Sequence, residues 1–292
     1  MRLPTLRLLA LLLAFTPAFA AAQNAGVTLT PAVVVAGAPE LIRVHTPGAQ
    51  SVTGEWLGHT VEFFEKDPNS TSDWFALAGV DVEAPVGASV LHVTAHTASG
   101  TVDLSRQVVI GAAHYRTGSL TVAPKFVSPG PEDLKEIQEA NEAKSKAFAA
   151  SADHPLWQGD FRAPVAAQAT DSFGTRRMFN GKLASIHKGA DFRAATGTVV
   201  HASNSGIVVL ARKLYFEGNC VIIDHGLGLY TESMHFSRID VKEGQQVKAG
   251  DALGLSGATG RVTGPHLHWA VRWQGAMLDP IKLLHLDLSQ VP

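Results

Sequence analysis

A single cysteine, Cys220, stands in 292 residues. One thiol cannot form an internal disulfide, and cysteine-based zinc sites need at least two, so any metal must be held by histidine, aspartate or glutamate. Positive charge is not in surplus either. With 24 Lys and Arg against 26 Asp and Glu the formal charge is -2, which argues against the basic footprint of a nucleic-acid binder. Charged residues make up 17% and hydrophobic residues 46%, so the chain is not a disordered polyelectrolyte. Long apolar runs are also missing. Leu8 to Ala22 is broken by Thr16-Pro17 and falls short of the ~20 residues that cross a bilayer. Arg2 and Arg7 before a short apolar core, with small residues at Ala18-Phe19-Ala20 or Ala20-Ala21-Ala22, read instead as an export signal peptide over residues 1–22. The mature chain is therefore expected to have no transmembrane segment and to work in the periplasm, the cell envelope or outside the cell. Histidine is the residue in excess: there are 13, against 3 tyrosines and 4 methionines, and most lie after residue 152.

The predicted architecture is mainly β. Over 23–112 short alternating runs (Val27 to Thr30, Val33 to Val35, Leu41 to His45, Val52 to Trp56, Val61 to Phe64) precede a hairpin formed by Ser89 to His96 and Val102 to Val108 about an Ala98-Ser99-Gly100 turn. This pattern fits an Ig-like β-sandwich. Residues 113–152 read as a linker: Pro124, Pro129, Gly130 and Pro131 break structure, and Glu132 to Ala150 forms one helix with acids first and Lys144 and Lys146 late. Leu134, Ile137 and Ala140 supply a narrow apolar stripe for docking. Residues 153–292 form a third unit of short strands punctuated by glycine, which suits a compact, strongly bent antiparallel sheet.

Two histidine patterns sit on that last unit. His266-Leu267-His268 lies in a strand-like run, where residues two apart share a face, so both imidazoles can converge on one point. His187 and Asp191 are four apart, an even separation that keeps both on one face of an extended strand, and Gly189 disfavours the helical alternative. Such a His and Asp donor set suits zinc. Each motif alone is weak, and their joint setting carries the weight.

That setting is specific. Ser172-Phe173-Gly174-Thr175-Arg176, His187-x-x-x-Asp191, Gly218-Asn219-x-Val221-Ile222-Ile223-Asp224-His225-Gly226, Thr231-x-x-x-His235, Val241-x-x-Gly244-Gln245-x-Val247-x-x-Gly250 and Thr259-Gly260-x-x-Thr263-Gly264-Pro265-His266-Leu267-His268 occur in one order. Over residues 155 to 286 the chain resembles the lysostaphin-type, or beta-lytic, zinc peptidoglycan endopeptidases. The resemblance implies a metallopeptidase domain with Zn2+ on His187, Asp191 and His268, and catalytic roles for His235 and His266 assigned jointly. It implies peptide stems and cross-links of peptidoglycan as partners, and a hydrolase mechanism through zinc-activated water. Ser233 and Phe236 depart from the residues common in the family and are expected to alter the groove wall without removing a ligand.

Rival readings are weaker. The Val241 to Asp251 segment resembles a lipoyl or biotinyl carrier hairpin, but that reading leaves His187, Asp191, His235 and His268 without a role. The alternative within the envelope is a non-catalytic, wall-binding activator of other hydrolases. His225 and His201 are expected to be structural, and Cys220 a small buried hydrophobe.

Overall fold

Side-chain alternation shapes the first third of the chain. The computed structural model describes residues 26–65, 72–120, 123–179, 182–289 and 291; the expected signal peptide lies outside them. Val27–Thr30, Pro39–His45, Asp73–Gly79 and Phe64–Glu65 form one antiparallel four-stranded sheet, in that order. His59–Glu62, Ala49–Trp56, Gly87–Thr97 and Gly100–Ile110 form a second. Ile42, Val44, Trp56, Leu91 and Val93 belong to one apolar core.

Two expectations change here. Val33–Val35 is not a strand: Val33 is 76% exposed and only Val35 makes an isolated bridge, to Gly111, because prolines and glycines on both sides turn the chain. Asp73–Gly79 is a strand that the alternation did not reveal. Both of its faces are covered, so it reads as one unbroken apolar run.

Ten of the remaining described strands build an antiparallel sheet, with the order Ala169–Asp171, Ala190–Phe192, Leu267–Trp273, Leu229–Ile239, Gly218–Asp224, Gly206–Leu214, Gln246–Val247 along its main path, while Lys182–Ile186, Arg176–Phe179 and Thr117–Leu120 form a separate three-stranded sheet in that order. Val199–His201 and Ala252–Ser256 pair beside it, and Ala276–Leu278 pairs with Leu267–Trp273. Register shifts at Val208/Leu210, Asn219/Val221 and Phe236/Arg238 bend the sheet, as extra residues in a ladder do.

The linker helix is Pro131–Ala147. Pro131 opens it, and the Asp133 carboxylate accepts from the Gly130 N–H at 3.0 Å, which caps its first turn. Its buried stripe is Ala140 and Ala147, with Ile137 and Ala143, against Leu210, Leu214 and Tyr215 of the large sheet. Leu134, expected in that stripe, is 54% exposed. Lys144 occupies the inward face in its place and forms an ion pair with Glu217.

The front sheets and the large sheet share a continuous core. Leu278 fills the space where a Gly79 side chain would stand, Phe64 meets Trp157 edge-on at 5.6 Å, and the Met277 N–H donates to Asp81 at 2.8 Å. Tyr115 packs its ring where Gly174 has no side chain and donates its hydroxyl to the Ala36 carbonyl at 2.7 Å.

Glu40 shares the inward parity of Ile42 and Val44, is fully buried, and has no hydrogen-bond partner for either carboxylate oxygen among the described residues. Burial pushes its carboxyl up to about 8, against a smaller opposing pull from Lys282. The folded chain therefore holds a proton that the unfolded chain releases near the ordinary value of 4.5, so stability falls as pH rises from about 4.5 to about 8. Thermal unfolding should show Glu40→Gln level with the parent at pH 5 and at least ~5 °C more stable at pH 8.5.

Candidate metal centre

The large sheet brings the two histidine motifs together by register. Ala190–Phe192 pairs antiparallel with Leu267–Trp273, and Asp191 stands directly opposite His268. His187 is not on the same strand as Asp191, contrary to the expectation from even spacing. It lies in the turn after Lys182–Ile186, and the chain reverses at Lys188-Gly189 before the Asp191 strand begins. Gly189 is what permits this turn: a Cβ there would come within 2.4 Å of His268 Nε2 and 2.7 Å of the Trp269 carbonyl oxygen.

The result is a buried triangle. His187 Nε2 lies 3.0 Å from Asp191 Oδ1 and 3.0 Å from His268 Nδ1, and His268 Nδ1 lies 2.8 Å from the same carboxylate oxygen. The three residues each present a donor atom within 4.8 Å of the others. The His187 Nδ1 donates to the Ser172 carbonyl at 3.0 Å, which fixes the tautomer and leaves Nε2 its lone pair. Arg177 bonds the second oxygen of Asp191. Burial alone would raise the Asp191 carboxyl, but the hydrogen bonds from His187 and His268 hold it well below the ordinary carboxylate range. Burial pushes the His268 imidazole down to about 4, so it is neutral at neutral pH.

Two more imidazoles face this triangle. His266 stands just before the strand, on the same side as His268, with Nε2 3.7 Å from Asp191 Oδ1. His235 comes from the neighbouring strand, its ring 4.9 Å from that of His266 and 6.1 Å from that of His268. Its φ of 68° is unusual for a non-glycine residue and, at the bulge in Leu229–Ile239, turns it out of the strand's alternation. Both rings are anchored through Nδ1, His235 to the Thr259 carbonyl and His266 to the Gly264 carbonyl, each at 2.8 Å. Thr259 is itself seated against Gly218, whose φ of 64° and missing side chain make room for it. Burial, then the nearby His268 and His266, push the His235 imidazole down to about 3.

All five predicted residues thus line one groove of about 1450 Å³. The carbonyl anchors lie in motifs that sequence reading singled out without giving them roles, whereas Arg177 carried no signal of its own. Ser233 and Phe236 do not line the groove. Ser233 is buried opposite Met234 by strand alternation, and Phe236 is fully buried, so neither alters the wall as expected. His225 is structural: its Nδ1 pairs with the Ser205 carbonyl at 2.7 Å and its Nε2 with Thr231 at 2.8 Å. His201 bonds the Gly250 carbonyl at 2.9 Å, and Cys220 is buried in its strand.

Residues 185–280, a span that contains all five, match Peptidase family M23. The catalytic domain of lysostaphin from Staphylococcus simulans is 33% identical, with 92% of that domain and 41% of this chain covered and a TM-score of 0.37. Residues 185–280 of this chain are a peptidase family M23 domain. This is a family of zinc metallopeptidases. The peptidoglycan DD-endopeptidase ShyA of Vibrio cholerae is 41% identical over 124 residues, which is 42% of this chain but only 29% of ShyA. The match thus spans less than a third of that curated relative. A crystal structure of a Pseudomonas aeruginosa protein assigned to peptidase M23 covers 86% of this chain and 94% of its own, at 27% identity and a TM-score of 0.65. That likeness extends over the front sheets as well as the M23 region.

Two imidazole nitrogens and one carboxylate oxygen, deprotonated and converging, are the donor chemistry zinc takes, with bonds of about 2.0 to 2.2 Å. The close N···N and N···O approaches place the three donor atoms where one cation can take them all. Gly189→Ala should push the His268 ring out of this triangle: the folded variant, checked by circular dichroism, is expected to hold zinc at least tenfold more weakly in a chelator competition.

Proposed function

We propose that this chain is an exported zinc metalloendopeptidase that hydrolyses peptide cross-links of bacterial peptidoglycan. The observation that carries the reading is the convergence of His187, Asp191 and His268 with two further imidazoles, His235 and His266, in an open groove. In this reading His187 Nε2, Asp191 Oδ1 and His268 Nδ1 hold the metal. Zinc, when bound, supplies a Lewis acid that polarises a peptide carbonyl and makes water acidic enough to ionise near neutral pH.

The remaining chemistry belongs to the side chains. His235 and His266 each donate Nδ1–H to a backbone carbonyl, so each presents Nε2 toward the groove with its lone pair available. One such nitrogen can take the proton of the attacking water and deliver it to the leaving amine. The other, protonated, can donate to the carbonyl oxygen as charge develops on it. The two act jointly. Arg177 neutralises the outer oxygen of Asp191 and so keeps the inner one aimed at the triangle.

The division of the chain belongs to the same proposal. Residues 1–22 direct export, 23–112 form the front β unit, 113–152 connect, and 153–292 carry catalysis in the periplasm or cell envelope. The charge balance of the catalytic part is consistent with an anionic wall polymer, with 14 basic and 12 acidic residues from Ala152 onward.

Purified sacculi should lose cross-linked muropeptides on digestion, as read by mass spectrometry, with the loss abolished by a chelator and restored by zinc. His268→Ala should lose both zinc and turnover. His235→Ala should keep zinc at full stoichiometry while turnover drops at least 100-fold; full activity in that variant would remove His235 from the mechanism.

A further inference from the structure

The groove that holds the metal triangle is also lined by charged groups that the mechanism does not use. On the sheet floor, Glu232, Met234, His268, Ala270 and Arg272 all line it. Lys144 and Phe148, contributed by the linker helix and its C-terminal end, wall it off. Lys144 forms an ion pair with Glu217, and its charge also acts on Glu232. Glu232 is 4% exposed, yet its carboxylate makes no hydrogen bond or ion pair among the described residues. The Arg272 guanidinium stacks on Phe148 at 4.3 Å and likewise makes no hydrogen bond.

The register sets their spacing. Glu232 stands opposite Ala270, so Arg272 is its diagonal neighbour on the same sheet face, at about 7 to 8 Å between backbones. A buried carboxyl group and a stacked guanidinium at diagonal positions of one sheet face, opening on one groove and without a hydrogen bond to either among the described residues, complement a ligand carrying both charges. An ammonium alone would leave Arg272 unpaired, and a carboxylate alone would leave Glu232 buried and unpaired. We propose that Glu232 and Arg272 form a specificity subsite for a peptide side chain that ends in an α-amino acid group, with its ammonium on Glu232 and its carboxylate on Arg272, and with Lys144 and Phe148 closing the pocket.

The subsite rests on the peptidase reading and deepens it. Glu232 precedes His235 by three residues on one strand, and Arg272 follows His268 by four, so the pocket lies about 10 Å from the reacting centre at about 3.3 Å per residue. That is the reach of a side chain one or two residues from the bond being cut. Position and charge here choose the substrate, whereas the triangle does the chemistry.

The test uses cross-linked muropeptide dimers from a diaminopimelate-type wall, whose donor stem carries a free amine and carboxylate on one carbon, and the same dimers after acetylation of that amine. The zinc-loaded parent should cleave the acetylated dimer at least tenfold less efficiently, with the loss in KM. Glu232→Gln should cleave both dimers equally, at a KM near that of the parent on the acetylated one. Arg272→Lys keeps a cation but loses the flat stacking surface, and should raise KM for the unmodified dimer with kcat within twofold. Binding of both dimers to zinc-loaded His235→Ala, followed by calorimetry, reads the subsite without turnover. If neither dimer is cleaved by the parent but calorimetry still shows the preference, the peptidase reading fails and the subsite stands. Equal binding and equal cleavage of the two dimers by the parent, or an undiminished preference in Glu232→Gln, would overturn the subsite.

Discussion

One buried carboxylate holds this structure's chemistry together. Asp191 holds His187 Nε2 and His268 Nδ1 within 3.0 Å of a single oxygen, takes Arg177 on the other, and has His266 a further step away. In a region of low dielectric such a charge is costly unless several donors surround it, and the elements around it meet that demand. The register that sets Asp191 against His268, the side chain missing at Gly189 and the carbonyl of Ser172 all serve the same end. The three donor atoms are thus held together by the fold, and a cation finds their geometry already in place.

Sequence reading reached this site because part of it obeys strand periodicity. His266 and His268 share a face because residues two apart always do, and no tertiary knowledge was needed to see it. The same rule failed at His187, where four residues span a turn instead of a strand, although the turn brings the two side chains together anyway. It failed again at His235, whose left-handed backbone places it beside Met234 on the groove side. Only the ordered motifs pointed to it. In the front sheets, alternation found the long hairpin but not Asp73–Gly79, since a strand covered on both faces has no polar beat to read.

Lys144 shows a different limit. Near the end of a helix, a lysine is adequately explained by the macrodipole and by solvent, and nothing local marks it as inward-facing. Its partner Glu217 lies far away in sequence and carries no helical or strand signature of its own. Once the helix docks through Ala140 and Ala147, the spacing of its turns points Lys144 at the groove. The linker thereby becomes part of the groove wall. A segment that composition describes as a strut contributes a charge, an aromatic ring and a wall.

The same logic governs the front sheets. Trp157, Trp273 and Leu278 of the catalytic part are each at most 2% exposed, and the front part supplies Phe64, His59 and Gly79 against them. The Thr117–Leu120 strand pairs in parallel with Arg176–Phe179, the strand that carries Arg177 to Asp191. Cutting the chain before residue 153 would therefore expose two tryptophans, unpair the Arg177 strand and remove Lys144 in one stroke. Loss of activity in such a truncation would follow from the shared core and would not reveal a regulatory role for the front sheets. A gain of activity would carry information, because it would have to outweigh all three losses, and only a contact that obstructs the groove could be strong enough to produce it.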